Sequence, residues 1–365
     1  IHYPITDENG IPFDDERNSL LDPACGSGTF LFTAIKRLRD RGLVGNDLIS
    51  FVQNQIAGID IHPLAVTISK ANILLALGDE ISNWGQRFHL PVYMADALSI
   101  AEGALSIPMI RVNVDIEKLK EYSGKTYDNR IPQAFHVPFP RNAETSYFNE
   151  IVDDLITYAN PELTDEQMRV GFTNKLERLL PETEKTEEHL SYWLMNLRLM
   201  KWMLSEPKTN NVWKFILKNA IRPQLLAHRK FNFVVGNPPW LAYRFINSDV
   251  YKERIRKLVF SDGLLASNET NLITQIELGT LFFSFCSWHY LKSKGYIAFV
   301  MPRSIMTGAK QHLEFQKKFI KKATKLLDLK AVEPLFRVPS CVLIYQDGNE
   351  AKEKISRIKI VGSLP

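Results

Sequence analysis

The run Ser19-Leu20-Leu21-Asp22-Pro23-Ala24-Cys25-Gly26-Ser27-Gly28-Thr29-Phe30 decides the fold. Apolar residues that run into a glycine turn and then into a helical pattern read as strand, turn and helix. Glycines let the backbone approach a ligand closely, and a helix start presents N–H groups with no partner inside the helix. The segment is a cradle for a bound small molecule. A dinucleotide fingerprint places a third glycine three residues after Gly28, where this chain has Leu31. Asp22, just ahead of the turn, repels a pyrophosphate and suits an ammonium group. The expected ligand is therefore cationic.

Downstream, Ile56-Ala57-Gly58-Ile59-Asp60 reads as a second strand ending in a carboxylate, and Pro63 opens a helix carrying Ile68, Ala71, Ile73 and Leu77. A carboxylate at a strand's C-terminal end is well placed to accept from ribose hydroxyls, which makes Asp60 a candidate. A third strand, Leu90-Pro91-Val92-Tyr93-Met94, runs into Ala95-Asp96-Ala97-Leu98 and brings Asp96 to the same edge. An adenine amine is one group it can receive. Strands near 18–22, 56–60, 90–94, 231–236, 295–301, 326–331 and 341–346 alternate with helical patterns. The expected fold is an α/β, doubly wound, mostly parallel seven-stranded sheet.

Asn237-Pro238-Pro239-Trp240 follows the apolar run Phe231-Asn232-Phe233-Val234-Val235-Gly236. Two prolines fix φ and remove backbone donors, so the turn is stiff and its carbonyls are free to accept. Asn237 adds a side-chain acceptor and Trp240 an aromatic face. A planar base with an exocyclic NH2 finds acceptors for both protons and a surface for its ring. If the first and fourth strands are neighbours, this turn and the glycine turn open together at a topological switch point.

These segments, D-P-A-C-G-S-G-T-F, G-I-D-I-H-P, D-A-L and N-P-P-W in that order, resemble the amino-group DNA methyltransferases that use S-adenosylmethionine, in the circular order with the cofactor half first. Gly295-Tyr296-Ile297-Ala298-Phe299-Val300-Met301-Pro302 resembles that family's fifth strand, and the stretch from Leu335 to Ile344 its late hairpin. The resemblance implies a class I methyltransferase-like Rossmann sheet. It implies Asp22 near the methionine part of the cofactor, with Ala24, Gly26, Gly28 and Thr29 in the turn around it. Asp60 then falls on the ribose, Ile61 against the adenine ring, and Asp96 with Ala97 at the adenine amine. Asn237, Pro238, Pro239 and Trp240 become catalytic, and Trp240 and Phe336 stack on the target base. Two departures stand out: His62 occupies a position where an acidic or polar residue is common, and no F-Y-T-P-like segment precedes the cofactor turn.

What the resemblance implies for function is methyl transfer to the 6-amino group of an adenine extruded from double-stranded DNA, in a restriction-modification or related defence system. Trp240 and Val338-Pro339-Ser340-Cys341 most resemble enzymes in which modification and cleavage share one polypeptide. No P-D…E-x-K pattern and no target-recognition domain after Tyr345 are visible. Specificity or nuclease domains or subunits are expected outside this chain. Methylation of ribosomal RNA or of a protein glutamine amide is the competing reading, although those relatives are compact and favour Tyr or Phe at position 240. A non-catalytic DNA-binding subunit of the same fold is a third.

Length and composition agree with an intracellular enzyme, and the resemblance implies a bacterial or archaeal cytoplasm. The chain has 365 residues, 45% of them hydrophobic, enough to bury a core. A net charge of +4 is mild, so a nucleic-acid surface must be a local patch. Lys252, Arg254, Arg256 and Lys257 form one such cluster, readable either as phosphate contacts or as an exposed helix face. Lys317, Lys318, Lys321 and Lys322 alternate with Phe315, Phe319, Ile320 and Ala323 as an amphipathic helix would.

Three cysteines without C-x-x-C spacing argue against a disulfide framework, and Cys25 reads better as a small side chain under the glycine loop than as a nucleophile. Eight scattered histidines predict no catalytic metal. The apolar stretch from Leu278 to Leu291 is too short to span a bilayer and reads as a buried helix, so no membrane partner is expected. Residues 1–100 are expected to form the cofactor half, 230–365 the catalytic half, and 101–229 an inserted subdomain. Its first part, Ile107 to Asn149, reads as irregular. Leu163–Leu180, Glu187–Leu204 and Val212–Leu226 read as helices.

Overall fold

A computed structural model describes residues 18–85, 88–100, 109–114, 132–138, 146–204, 212–333, 338–350 and 356–363. These residues fall into two compact units, 1–93 with 229–365, and 94–228. Along the chain, β1 (Leu20–Asp22) passes through the glycine turn into α1 (Thr29–Asp40). Then follow α2 (Gly45–Gln55), β2 (Ile56–Asp60), α3 (Pro63–Leu77) and β3 (Val92–Met94). The second unit contributes β4 (Met109–Asn113), β5 (Ala134–Pro138) and five helices: α4 (Ser146–Tyr158), α5 (Asp165–Leu179), α6 (Glu187–Leu204), α7 (Val212–Ala220) and α8 (Arg222–Arg229). The chain returns through β6 (Phe231–Gly236), α9 (Asp249–Ser261), α10 (Leu278–His289), β7 (Leu291–Pro302), α11 (Leu313–Lys318), β8 (Lys325–Glu333), β9 (Ser340–Gln346) and β10 (Arg357–Ser363).

The large sheet has the order β10-β8-β9-β7-β6-β1-β2-β3. β1 runs parallel to both β2 and β6, and β6 parallel to β7. β9 is antiparallel to β7 and β8. From β1 the chain moves outward to β2 and β3, then comes back on the other side of β1 as β6 and β7. That reversal creates a crevice beyond the carboxyl ends of β1 and β6. β1 is buried at all three residues and β6 at five of six, as parallel strands covered on both faces must be.

Helix faces follow the burial pattern. On α1, Leu31, Ala34, Ile35 and Leu38 are buried at helical spacing. α10 is buried continuously from Leu278 to Cys286, including Thr280, whose hydroxyl donates to the Glu277 carbonyl at 2.7 Å. Phe283 on that helix packs edge-on against Phe299 of β7 and Phe315 of α11, with ring centroids 5.6 Å and 5.5 Å away. No described helix is long and apolar enough to cross a membrane.

Several sequence expectations need correction in detail. The sheet has eight strands rather than seven, because β10 joins beyond β8 with a register break between Lys359 and Val361. Its mixture of cations and glycine hides any alternation. The first part of the inserted segment holds an antiparallel pair, β4 with β5, rather than irregular chain. Ile110, Val114, Phe135 and Val137 bury there against helices of the second unit. The helix expected over 212–226 breaks into α7 and α8, with Pro223 in the first turn of α8, where its missing N–H costs nothing. The lysine-rich helix ends at Lys318, because Phe319 leaves helical geometry (φ −122°, ψ −49°) and a 3-10 turn over Ile320–Lys322 replaces it.

Asp328 of β8 is a buried carboxylate that accepts from Arg303 Nε at 3.0 Å and also pairs with Arg357 of β10. Burial works to raise its pKa, but the hydrogen bonds from Arg303 and Arg357 hold it at about 2. Asp328→Asn should cost about 1–2 kcal/mol in urea unfolding at neutral pH, since both guanidinium groups are partly solvated. A folded value below the ordinary 3.8 means that this contribution is present above about pH 4 and lost as pH falls toward 2. The stability gap between wild type and variant should close over that window. A gap that stays constant there would contradict the assignment.

Candidate active site

The glycine turn is built by backbone constraints. Gly26 and Gly28 both have positive φ, +53° and +81°, which side-chain-bearing residues rarely adopt. Gly28 also sits against Ser69 of α3: an added Cβ would lie 3.1 Å from the Ser69 Cα, so α3 leaves room for no side chain. Gly26 has open space at the same test, so the loop's outer side is free. The Gly26 N–H donates to Asp60 Oδ2 at 2.8 Å, and Cys25 N–H donates to the Ile59 carbonyl at 2.9 Å. The turn is thus tied to the end of β2.

Asp22 closes the floor. It is fully buried, its Oδ1 accepts from the Ala24 N–H at 3.1 Å, and its Oδ2 has no hydrogen-bond partner among the described residues. Burial pushes its carboxyl up to about 8; the Ala24 hydrogen bond works against this, and the Asp60 charge adds to it. Cys25 packs beside Gly58, and its thiol is pushed up to about 12 by burial, with the Asp22 charge adding. A thiol so held is not a nucleophile at neutral pH.

The second turn opens on the same rim. β1 and β6 are adjacent and parallel, with Leu21 opposite Val234, so Asp22 and Gly236 end the two strands side by side. A Cβ at Gly236 would lie 2.7 Å from Asp22 Oδ1. Asn237 is exposed, Pro238 buried, Pro239 exposed and Trp240 half-buried. The Trp240 Nε1–H donates to the Val300 carbonyl of β7 at 3.1 Å, which anchors the indole to the sheet.

The remaining sequence candidates fall as follows. Asp60 is half-buried and both its oxygens accept backbone N–H groups, from Gly26 and from His62 at 2.8 Å each, so it caps the strand end and holds the turn. Ile61 is 67% exposed beside it, a large apolar side chain open to contact. Thr29 is exposed at the start of α1, and Ala24 is half-buried. Asp96 and Ala97 belong to the second unit, where Asp96 Oδ1 accepts from the Leu98 N–H at 3.0 Å and Ala97 is buried. Phe336 lies outside the described residues.

One pair escaped the sequence reading. Glu277, half-buried ahead of α10, accepts from the Ser304 hydroxyl at 2.9 Å. Burial raises its pKa, and the Ser304 hydrogen bond opposes the rise. Its neighbours clamp the chain that leaves Trp240: Leu278 N–H donates to the Leu241 carbonyl at 2.9 Å, and Tyr243 N–H to the Ile276 carbonyl at 2.8 Å. Nothing local in the sequence marks this pair, whose members lie 27 residues apart.

The model of the Eco57I restriction-modification methylase family matches residues 54–336, well over half of the chain. This chain belongs to the Eco57I restriction-modification methylase family. Its sheet is a class I methyltransferase fold, with the glycine turn after β1 and the Asn-Pro-Pro-Trp turn after β6. Among solved structures, the chain is similar to the ATP-dependent Type ISP restriction-modification enzyme LlaBIII bound to DNA, with a TM-score of 0.53, 12% identity, and coverage of 98% of this chain and 18% of that one. It is also similar to DrdV in a DNA complex, with a TM-score of 0.48, 14% identity, and coverage of 96% and 25%. The M protein of the Type I restriction enzyme EcoKI gives a TM-score of 0.36, 12% identity, and coverage of 94% and 43%. The methylase chain thus spans less than half the length of each of these structures. No curated protein sequence matches it.

Asp22→Asn keeps the acceptor for Ala24 and removes the ionisable group. Because the folded value of about 8 exceeds the ordinary 3.8, wild-type stability should fall relative to the variant as pH rises between those values, and change no further above pH 8. Paired thermal melts across this range test it. A melting difference that is independent of pH would show that Asp22 is not buried in its neutral form.

Proposed function

We propose that this methylase transfers the methyl group of S-adenosylmethionine to the 6-amino group of an adenine turned out of double-stranded DNA, within a restriction-modification system. The observation that carries the reading is the junction of β1 and β6, where the buried Asp22 carboxyl sets its Oδ1 against Gly236, next to the exposed Asn237, and its Oδ2 has no hydrogen-bond partner among the described residues. The residues fit a cationic ligand. Asp22 is a buried carboxyl with one oxygen unpartnered among the described residues, which a nearby cation would favour in its ionised form; Gly26 leaves open space, and a helix start such as that of α1 offers N–H groups. In this reading Asp22, Ala24, Gly26, Gly28 and Thr29 hold the methionine end of S-adenosylmethionine, with Asp60 and Ile61 at the ribose and adenine. Bound there, it supplies an electrophilic methyl on a sulfonium.

The chain's own groups act on the amine. The amine's lone pair is delocalised into the purine ring and is weakly nucleophilic. The Asn237 amide oxygen and the Pro238 carbonyl accept its two protons and favour a tetrahedral nitrogen, an interaction that strengthens as positive charge develops there. The C–N bond forms as the S–C bond breaks, and the surplus proton on nitrogen passes to water. The cost of unstacking the base is a few kcal/mol, offset by about 1–3 kcal/mol of stacking on Trp240. The Val300 hydrogen bond fixes that indole in advance, so little ordering is needed at capture.

The decisive experiment incubates the complete protein with methyl-labelled S-adenosylmethionine and, in parallel, duplex DNA, ribosomal RNA and a release factor. Label is expected in the 6-amino group of adenine in DNA; label in either other substrate instead overturns the reading. Asn237→Ala should lower the transfer rate by about 100- to 1,000-fold with cofactor binding retained. Trp240→Ala should weaken capture of a DNA containing an unpaired adenine by about 1–3 kcal/mol. Equal losses in cofactor and DNA binding would remove Trp240 from its assigned role.

A further inference from the structure

The chain that leaves the Asn-Pro-Pro-Trp turn is strongly basic. Residues 241–261 hold Arg244, Lys252, Arg254, Arg256 and Lys257 against Asp249 and Glu253, a net +3 (five minus two) in a chain whose total is +4. Within this stretch, α9 and the segment after it enclose an open groove of about 410 Å³ lined by Glu253, Arg256, Lys257, Phe260, Ser267 and Thr270. Two cations and two hydroxyls facing one space are the donor set that phosphate oxygens draw on in nucleic-acid complexes. The carboxylate in the groove, Glu253, pairs with Arg256 only at 3.7 Å, with both side chains about half-exposed. Such a pair contributes little, so exchanging it for a phosphate costs little.

An exposed aromatic stands next to this groove in sequence. Phe245 is 57% exposed, and the Arg244 guanidinium lies over its ring at 4.8 Å. The turn that carries the pair is held firmly: Tyr243 N–H donates to the Ile276 carbonyl, Ala242 bridges to Glu277, and Ile246 is buried. α9 itself is fixed by a Ser248 side-chain cap and by buried Ile255 and Val259. A positioned aromatic with a cation on it, beside a basic groove, combines base stacking with backbone attraction.

We propose that the groove of Arg256, Lys257, Ser267 and Thr270 receives a phosphate of the DNA strand, and that Phe245 stacks on a base of the same DNA, so that residues 241–261 grip the substrate beside the Asn-Pro-Pro-Trp turn. This rests on the reading of DNA as substrate. Cations that meet phosphates release counterions, so their loss flattens the salt dependence of binding. Loss of a stacking contact weakens binding without changing that slope.

The test measures binding of the complete protein to a fluorescein-labelled duplex DNA of mixed sequence over a salt series. R256A/K257A should reduce the log–log salt slope by about one and the affinity by roughly ten-fold or more at low salt. Phe245→Ala should lower affinity roughly ten-fold with the wild-type slope. K321A/K322A, which removes the same charge elsewhere, should match wild type. Retention of labelled S-adenosylmethionine reports on folding, and R256Q/K257Q replaces the alanine pair if that pair fails to retain it. A wild-type slope in the Arg256/Lys257 variants, or an equal loss in K321A/K322A, overturns the groove assignment. If wild type labels DNA in the transfer assay while the slope does not change, only this inference fails; if wild type labels RNA or protein instead, the functional reading fails with it.

Discussion

Where β1 and β6 end side by side, a carboxylate oxygen of Asp22 fills the space that any side chain at position 236 would need. That close approach does more than select glycine. It brings two turns with different chemistry to one rim, one closed below by a buried carboxyl, the other stiffened by two prolines. Parallel pairing leaves no alternative, since both strands point the same way and both connections must leave from the same edge. The order of the strands then decides that this edge is a crevice, because the chain departs to opposite sides from β1 and β6.

Two buried aspartates show how differently the fold treats the same side chain. Asp328 is surrounded by the donors of Arg303 and Arg357 and stays charged, which ties β8 to β10 and to the turn after β7. Asp22 has one backbone donor and a second carboxylate nearby, and its neutral form is favoured. A structural ion pair is complete within the protein, whereas a carboxyl left without a cation is complete only when something else supplies one.

Much of this was legible in the sequence. The central strands were visible because parallel strands buried on both faces are continuous apolar runs, as at Phe231–Gly236. The two turns were visible because positive φ and fixed φ demand glycine and proline. β10 was not, since its exposed Lys359 and Val361 alternate with no buried partner pattern. The β4–β5 pair was hidden by the turn-forming residues within and around it, Pro108, Asn113, Pro132 and Pro138. Asp60 reads as a ligand group on its position at a strand end, yet its Oδ2 also holds the glycine turn to β2 while its Oδ1 accepts from His62, a pairing that no sequence pattern marks. Glu277 and Ser304 meet across a sequence gap that no periodicity spans.

The cations of β10 bear on how copies of this molecule behave toward each other. An outermost strand with a regular row of unpaired amides and carbonyls is a template for another chain. Here that strand carries Arg357 and Lys359, and its pairing with β8 shifts register between Lys359 and Val361, the extra residue lying on β8. Like charge at Arg357 and Lys359 opposes edge-to-edge growth along this strand, where Val361 is 72% exposed among the described residues.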